Sequence, residues 1–278
     1  MSSTDIHQHD LTQLLKAPFL LEQEKDLPLA FDLPIHLEAI QSIHINKQNF
    51  RLGKYIENLL SEYLTHHPNI SELLSGIQIF DQHKTIGELD FIFKYQDRFY
   101  HWEVTQKFYL LHHHQGISRY FGPQGKDRLD LKVKKLIEHQ LPLAKNEVTL
   151  KTISQKDLHS RAYVKGTIFY HKSNKITPPT WPNLSPHHSK GWWLRLNEFL
   201  PYFSQTETRL SFLVLPKTRW LTSGDWMLSQ TKADPMKECF EKLTSHFEKL
   251  SHSIMLIIYQ NGKELNRGFI VPNNWPRI

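Results

Sequence analysis

The sequence predicts a mixed α/β fold, because amphipathic helical segments alternate with short runs rich in β-branched and aromatic residues. In chain order the patterns give a helix, three strands, a second helix and a fourth strand, all within residues 51–170. A smaller mixed α/β region follows, with a helix at 235–250 and strands at 210–215, 253–259 and 268–271. The chain of 278 residues is long enough to bury a core without help from disulfides or metals.

Each element of the first group has its own signal. The first helix is predicted at 51–64, where apolar side chains recur at helical spacing. The second helix, at 126–140, is the clearest amphipathic segment, and Pro142 lies just past its predicted end. The four strands are predicted at 76–80, 86–95, 98–109 and 162–170.

Proline marks the expected boundaries between regions. An apolar helix over 11–21 is expected to break at Pro18, and the proline-bearing residues 27–35 are typical of a loop. The stretch 173–189 holds four prolines among polar residues, which is typical of a linker. These signals predict three regions: an N-terminal helical and loop extension at 1–50, a core domain at 51–172 and a C-terminal α/β region at 190–278.

Charge and cysteine content narrow the class of protein. Lysine and arginine number 34 against 28 acidic residues, and the formal charge of +6 permits an anionic partner without demonstrating one. The single cysteine, Cys239, excludes an intrachain disulfide and a cysteine zinc site. No apolar run reaches the roughly 18 residues of a membrane span, and the first residues lack a secretory pattern. We therefore expect a cytoplasmic protein with no membrane partner.

The second and third predicted strands bring acidic residues together. With a two-residue turn at 96–97, Asp90 falls directly opposite Glu103, and Glu88 falls opposite Thr105. Side-chain parity supports this register, because a slip of one residue would place apolar side chains opposite the acids.

The acidic face predicts a metal site. Acidic side chains that converge on one face of a sheet repel one another unless a cation neutralises them. Carboxylate oxygens suit Mg²⁺ or Mn²⁺, and Lys107 on the same face is available to stabilise a developing anion. These groups are the parts of metal-assisted phosphodiester hydrolysis. The alternative is the solvated polar face of a half-buried hairpin.

At these residues the sequence resembles the PD-(D/E)XK nuclease superfamily, and the phrase at 87–90 looks like that of its Holliday-junction-resolvase-type members. The resemblance implies a restriction-endonuclease-like core of a helix, three strands, a helix and a strand, with a C-terminal α/β elaboration. It implies that Asp90 and Glu103 are the two motif acids that hold the metal. It also implies that Glu57, on the preceding helix, is an auxiliary acid, and we expect Glu88 to be a second one.

More closely, the whole chain resembles a bacterial family of unknown function, the one numbered 1853, which is placed in that superfamily. The phrases that carry this resemblance span most of the chain, at 51–55, 101–103, 107–110, 127–132, 138–143, 191–193 and 267–269. The resemblance identifies a family whose activity is itself only inferred.

The lysine departs from the superfamily pattern. The superfamily places a lysine two residues after the second acid, and here that position is Thr105. Lys107 lies two residues further along the strand. Either Lys107 reaches back, or the lysine role has migrated to another position, or the site is weak or inactive.

A basic stripe follows the acidic hairpin. Arg128, Lys132 and Lys135 recur at spacing i, i+4 and i+7 on the second predicted helix, and Lys126 precedes them. Such a stripe suits contact with a phosphate backbone, although a solvated helix face gives the same pattern.

These observations favour a nuclease. We expect Mg²⁺- or Mn²⁺-dependent hydrolysis of phosphodiester bonds in nucleic acid, DNA being favoured, with Asp90, Glu103 and Lys107 as the catalytic residues. The second hypothesis is a non-catalytic nucleic-acid-binding or scaffolding module that retains the nuclease fold. The shifted lysine is the feature that favours this second hypothesis.

Overall fold

The computed structural model describes residues 3–36, 40, 43, 45, 51–154, 157–205 and 209–276. The chain forms two compact units. Unit 1 comprises Met1–Gln106, Leu131–Gly166 and Asn183–His187, and unit 2 comprises Lys107–Asp130, Thr167–Pro182 and His188–Ile278.

Unit 1 contains most of the elements that precede the proline-rich stretch. Its helices are α1 (Ser3–Lys16), α2 (Leu52–His66), most of α3 (Leu129–Lys135), a π-helical turn (Leu136–Gln140), α4 (Leu141–Leu143) and α5 (Glu147–Ile153). Its strands are β1 (Ile70–Asp81), β2 (Lys84–Tyr95) and the first parts of β3 (Arg98–His114) and β5 (His159–His171).

Unit 2 contains the remaining parts of β3 and β5 and the elements of the carboxyl-terminal region. Its other strands are β4 (Ile117–Phe121), β6 (Ser189–Arg195), β7 (Leu210–Leu215), β8 (Asp234–Pro235), β9 (Ile254–Gln260) and β10 (Lys263–Val271). Its helices are α6 (Leu196–Phe203), a 3₁₀ turn (Lys217–Arg219), α7 (Gly224–Gln230) and α8 (Met236–Lys249). In the described part of the chain, no helix is both long and apolar enough to cross a membrane.

The hairpin of β2 and β3 organises unit 1. The strand order there is β1-β2-β3-β5, and both β1–β2 and β2–β3 are antiparallel. The predicted two-residue turn is confirmed, since Tyr95 pairs with Arg98, and the turn residues Gln96 and Asp97 have φ of 49° and 58°. Two positive φ angles define a type I′ turn, whose twist matches that of the flanking strands even without the usual Asn-Gly pair.

The apolar core of unit 1 follows the predicted side-chain parity. Leu89, Phe91, Phe93 and Trp102 are all buried, as expected for the apolar face of the hairpin. The opposite face is only in part the solvated surface considered above. His101, Glu103 and Thr105 on β3 are buried, whereas Glu88 on β2 is exposed.

The predicted bounds of the second helix, 126–140, are wrong at both ends. It begins at Leu129 because residues 122–127 form a turn, in which the amide of Gly122 donates to the carbonyl of Asp127 at 2.7 Å. Lys126 and Arg128 therefore precede the helix, and the expected i, i+4, i+7 stripe does not start on it. At its other end the helical path continues through Pro142 as α4.

The amino-terminal helix also lies earlier than predicted. It covers Ser3–Lys16 and ends before Pro18, whereas the expected helix covered 11–21. Part of the predicted extension, at residues 37–39, 41–42, 44 and 46–50, lies outside the described residues. Lys165 of β5, only 1% exposed, donates from Nζ to the carbonyl oxygens of Leu15 and Ala17 and pairs with Asp32 at 3.2 Å.

Unit 2 is a mixed sheet covered by helices. Its strand order is β4-β3-β5-β6-β10-β9-β7-β8, with β5–β6 and β6–β10 parallel and the pairs of β9 antiparallel. Strands β4 and β6 have no counterpart in the sequence prediction. Two of the phrases that carry the family resemblance pair with each other here, Gly268 with Trp192 and Phe269 with Trp193. Gly268 has to be glycine at this contact, because a Cβ there would lie 2.2 Å from the Trp192 ring.

Candidate functional site

The candidate site is an acidic pair on the β2–β3 hairpin of unit 1. Backbone pairing of the two strands runs from Tyr95–Arg98 to Phe91–Trp102. Beyond this segment a side chain, and not the backbone, links the two strands. Oδ2 of Asp90 accepts a hydrogen bond from the backbone N–H of Val104 at 2.7 Å. The predicted continuation of the register, with Glu88 opposite Thr105, lies beyond this paired segment. Asp90 is thus held against the backbone next to Glu103 by its own side chain.

Glu103 is held by a polar relay from the helix that follows the hairpin. Its side chain is buried, and its Oε1 accepts a short hydrogen bond from the side-chain amide of Gln140. The Oε1 of Gln140 accepts in turn from Nζ of Lys132 at 2.9 Å. The positive charge of Lys132 therefore acts on Glu103 through one intervening amide.

The π-helical turn sets the geometry of this relay. In a regular α-helix, two turns take about seven residues, so the residue seven positions after Lys132 would lie nearest to it along the helix. The wider π turn at Leu136–Gln140 instead places Gln140, the eighth residue after Lys132, next to Lys132. Pro142 gives the physical reason, because it has no N–H to donate to the carbonyl of Glu138. The amide of Leu141 instead bonds five residues back, to the carbonyl of Leu136. Single π turns of this kind are frequent at functional sites.

His101 adds a second buried acceptor beside Glu103. Its Nδ1 lies 3.3 Å from Oγ of Ser160, and that hydroxyl donates to the carbonyl of Leu141 at 3.0 Å. The hydroxyl has a single hydrogen, so it accepts from His101 Nδ1–H, which leaves Nε2 as an acceptor. Burial lowers the pKa of His101 to about 4, which keeps the ring neutral. Nε2 lies 3.8 Å from Oε2 of Glu103, and neither atom has a hydrogen-bond partner among the described residues.

The electrostatics of the site disfavour the charged forms of both acids. Burial is the main reason that the pKa values of both carboxyls are raised, and the charge of Asp90 raises the pKa of Glu103 further. Lys132 opposes both shifts, whereas Glu57 and Glu88 raise the pKa of Asp90. The predicted auxiliary acids therefore act electrostatically on Asp90, one of the two predicted ligands.

Lys54 is a further cation at this acidic face. Its Nζ bonds Oε2 of Glu57 at 3.0 Å on α2. The pKa of Lys54 is raised, chiefly by that hydrogen bond, and the charges of Glu57, Glu88 and Asp90 also contribute. Within unit 1, Glu57, Glu88 and Asp90 therefore act on Lys54, and Lys132 acts on both Asp90 and Glu103.

The predicted catalytic lysine belongs to unit 2. Nζ of Lys107 lies 2.7 Å from Oδ2 of Asp127. In the same unit Arg128 donates from Nε to Oδ1 of Asp130 at 3.0 Å. Two of the cations predicted from the sequence are therefore ion-paired within unit 2, while Lys126 is exposed.

The donor set of the site fits a hard divalent cation better than zinc. Among the described residues no group of three or more His, Cys, Asp and Glu side chains is arranged to hold a metal. Mg²⁺ does not require such a cage, because it keeps several waters and is bound by one or two carboxylates together with substrate phosphate. Asp90 and Glu103 supply that number, and the open acceptors on Glu103 and His101 suit Mn²⁺ as well.

Sequence reasoning missed three residues of the site. His101 had a usable signal, since it stands two residues before Glu103 and so shares its face of the strand. Lys54 stands three residues before Glu57 on one helix, which is the spacing of an ion pair. Gln140 had no such signal, because its position over Glu103 depends on the π turn.

Fold and site define a mixed α/β protein with an acidic pair, one member buried and the other partly buried, on a β-hairpin. The family described as "Domain of unknown function (DUF1853)" matches residues 8–271 of the sequence, and the chain belongs to this family. Searches of curated proteins and of solved structures gave no match to the chain.

Proposed function

We propose that this protein is a nuclease of the PD-(D/E)XK superfamily that hydrolyses phosphodiester bonds in nucleic acid, DNA being favoured, with Mg²⁺ or Mn²⁺. The observation that carries the proposal is the pair Asp90 and Glu103. Asp90 is partly buried and accepts the Val104 N–H, Glu103 next to that position is buried, and one oxygen of Glu103 lacks a hydrogen-bond partner among the described residues. Placing two such acids next to each other away from water is unfavourable unless a cation or a proton neutralises their charge. We assign a cation to this role, because a bound cation would also assist phosphodiester hydrolysis.

The residues of unit 1 divide the chemistry among them. Asp90 and Glu103 would hold the ion, which when bound supplies positive charge to the phosphate that is attacked. Gln140 fixes the carboxylate of Glu103, and Lys132, which donates to Gln140, would stabilise the anion that develops on the phosphate. Glu57 and Glu88 strengthen the negative potential that draws a cation into the site.

Lys132 fits the lysine role better than Lys107 does. It is tied to Glu103 through Gln140, whereas Lys107 makes an ion pair with Asp127. This is the second of the possibilities left open by the sequence, in which the lysine role has migrated. Phosphate contacts on the nucleic acid are assigned to Lys135 first, because Arg128 already pairs with Asp130.

The proposal is tested by metal binding and by cleavage in parallel. Mn²⁺ and Mg²⁺ should raise the melting temperature of the wild-type protein, since they bind only the folded state. Asp90→Asn and Glu103→Gln should abolish that rise and should also abolish cleavage of single- and double-stranded DNA. An equal metal-induced rise in wild type and in both variants would remove the pair from consideration.

Glu138→Gln is the matched control for these variants. Glu138 lies on the π turn beside Gln140, and its side chain is about half exposed. The substitution removes the same charge from the same unit without touching the acidic pair. It should leave both the metal response and the cleavage rate at their wild-type values.

A non-catalytic nucleic-acid-binding module is the second candidate. It is favoured by the fact that no group of three or more metal-binding side chains exists within the described ranges, and by the ion pair that engages Lys107. Such a module would bind DNA with the salt dependence of phosphate contacts but would show neither cleavage nor metal-induced stabilisation. The two assays above therefore separate the two candidates.

A further inference from the structure

Unit 2 contains a cavity of about 750 Å³ at the carboxyl ends of two parallel strands. Strand β5 ends at His171 and β6 ends at Arg195, and both residues line the cavity. His112 of β3 and the loop that follows β5 form other walls. Ligands of α/β sheets bind beyond the carboxyl ends of parallel strands, and this volume lies in the range of small-molecule sites.

The lining of this cavity is cationic. Arg195 and Lys175 contribute positive charge, and among its described lining residues there is no carboxylate. Glu198 follows Arg195 in the chain but is already engaged. Its Oε2 accepts from the Arg195 backbone N–H at 2.7 Å and lies 3.1 Å from Nε2 of His171. The described wall of the cavity therefore offers the two cations no acidic partner.

Aromatic side chains hold the polar groups of the cavity in place. The Arg195 guanidinium lies 5.3 Å from the centre of the Trp193 ring, and its Nη2 donates to the carbonyl of Trp275 at 3.2 Å. The His112 ring lies 5.8 Å from the Trp193 ring and 5.4 Å from the Trp275 ring. Groups fixed in this way lose little freedom when a ligand binds, which favours affinity.

His112 contributes a polar ring to the wall of the cavity. The pKa of His112 is lowered to about 4, chiefly by burial and to a lesser extent by the charge of Arg195 and by the neighbouring His114, His171 and His113. The ring is therefore neutral at pH 7 and can share a hydrogen bond with an anion that enters the cavity.

We propose that this cavity binds a small molecule that carries a phosphate monoester, such as a mononucleotide. Two cations on a wall whose described residues include no carboxylate match a group that is close to a dianion at pH 7. The guanidinium of Arg195 suits the paired oxygens of a phosphate, and Ile176 and Pro178 offer an apolar wall to the rest of the ligand. The site is independent of the nuclease site proposed for unit 1.

Calorimetric titration of the full chain with AMP tests the proposal. The titration is run in EDTA, so that no divalent ion takes part, and it is repeated with adenosine and with succinate. AMP should bind with a Kd below about 1 mM. Adenosine, which lacks the phosphate, and succinate, a dicarboxylate dianion, should bind at least about tenfold more weakly.

Single variants locate the binding. Lys175→Ala and Arg195→Gln should each weaken AMP binding about tenfold, the effect of losing one charged hydrogen bond. Lys175 is exposed on a loop, so its substitution leaves the core untouched. Lys190→Ala is the matched control, because Lys190 is an exposed lysine on β6 that does not line the cavity.

Three results would overturn the proposal. One is the absence of AMP binding to the wild-type chain at millimolar concentration. Another is equal affinity for AMP and either adenosine or succinate, which would mean that the phosphate is not recognised. The last is equal AMP affinity in the wild type, the Lys175→Ala variant and the Lys190→Ala control.

Discussion

Nε2 of His101 and Oε2 of Glu103 face each other at 3.8 Å in unit 1, and each is a buried acceptor without a hydrogen-bond partner among the described residues. Two acceptors at this distance gain nothing from each other. Burial therefore favours the protonated carboxyl when no cation is present, because it disfavours the charged form. The behaviour of the metal-free protein with pH follows from this relationship.

The first prediction concerns the stability of the metal-free protein. The raised pKa of Glu103 means that the folded state keeps a proton that the unfolded state has lost. This contribution is fully present below about pH 4, the ordinary carboxyl value, and is lost as pH rises through the raised pKa. Glu103→Gln should therefore reduce the fall in the free energy of unfolding between about pH 5 and pH 8. Urea unfolding in EDTA at several pH values measures how the free energy of unfolding depends on pH.

Glu138→Gln serves as the control for this pH series. Its carboxylate is about half exposed, so the variant should reproduce the wild-type pH dependence. If Glu103→Gln also reproduced it, Glu103 would not carry a proton in the folded state.

The second prediction concerns the relay through Gln140. Gln140→Leu removes the donor to Glu103 and the acceptor for Lys132, leaving a buried carboxylate oxygen unsatisfied. The free energy of unfolding should fall by about 1–3 kcal/mol, as measured by urea unfolding at pH 7. His139→Leu, on the same turn but exposed, should change it by less than about 0.5 kcal/mol. Similar losses in both variants would show that the turn, and not the relay, is disturbed.

The third prediction decides between the two lysines. If Lys132 stabilises the developing anion, Lys132→Ala should lower the cleavage rate with Mn²⁺ about a hundredfold or more. The Mn²⁺-induced rise in melting temperature should persist, because the acidic pair is intact. Lys107→Ala should stay near the wild-type rate, since Lys107 pairs with Asp127. The opposite pattern would return the role to Lys107.

The fourth prediction concerns nucleic-acid binding. Lys135→Glu should weaken DNA binding and lower the log–log slope of affinity against salt by about one unit for each phosphate that the protein no longer neutralises. Lys134→Glu makes the same charge change at a neighbouring exposed position that already pairs with Glu138 at 3.7 Å. Equal slopes for the two variants would indicate a general charge effect without a specific contact at Lys135.

The hairpin was the part of the site that the sequence could predict. Alternation of polar and apolar residues on both strands, with two residues left between them, defines the turn at 96–97 and the side on which Asp90 and Glu103 lie. The same local rule predicts the bounds of α2, β7 and α8 to within two residues. Strand period and helix period are properties of short segments, so a single sequence reveals them.

The cation of the site could not be predicted in this way. From the sequence, Lys132 is only one member of a basic stripe. The hydrogen bonds that link Lys132 to Glu103 depend on a π turn, and the spacing of residues along the chain does not predict such a turn. Pro142 predicts the end of the helix, since proline usually ends one. Here Pro142 lies within the helical path. The π turn before it accommodates the N–H that proline lacks, because the amide of Leu141 bonds five residues back. Contacts made across the fold, unlike periods along the chain, need the structure.

The buried ammonium of Lys165 constrains how the amino-terminal segment can evolve. Two of its partners, at Leu15 and Ala17, are main-chain carbonyls, so the side chains at these positions are free to change while the hydrogen bonds persist. The path of the chain is not free, because inserting or deleting one residue between positions 17 and 32 would move either the carbonyls or the carboxylate of Asp32 away from the buried Lys165 side chain. Homologues of this protein should therefore show amino-acid substitutions in this segment but no insertions or deletions, and an alignment of the family would reveal this pattern.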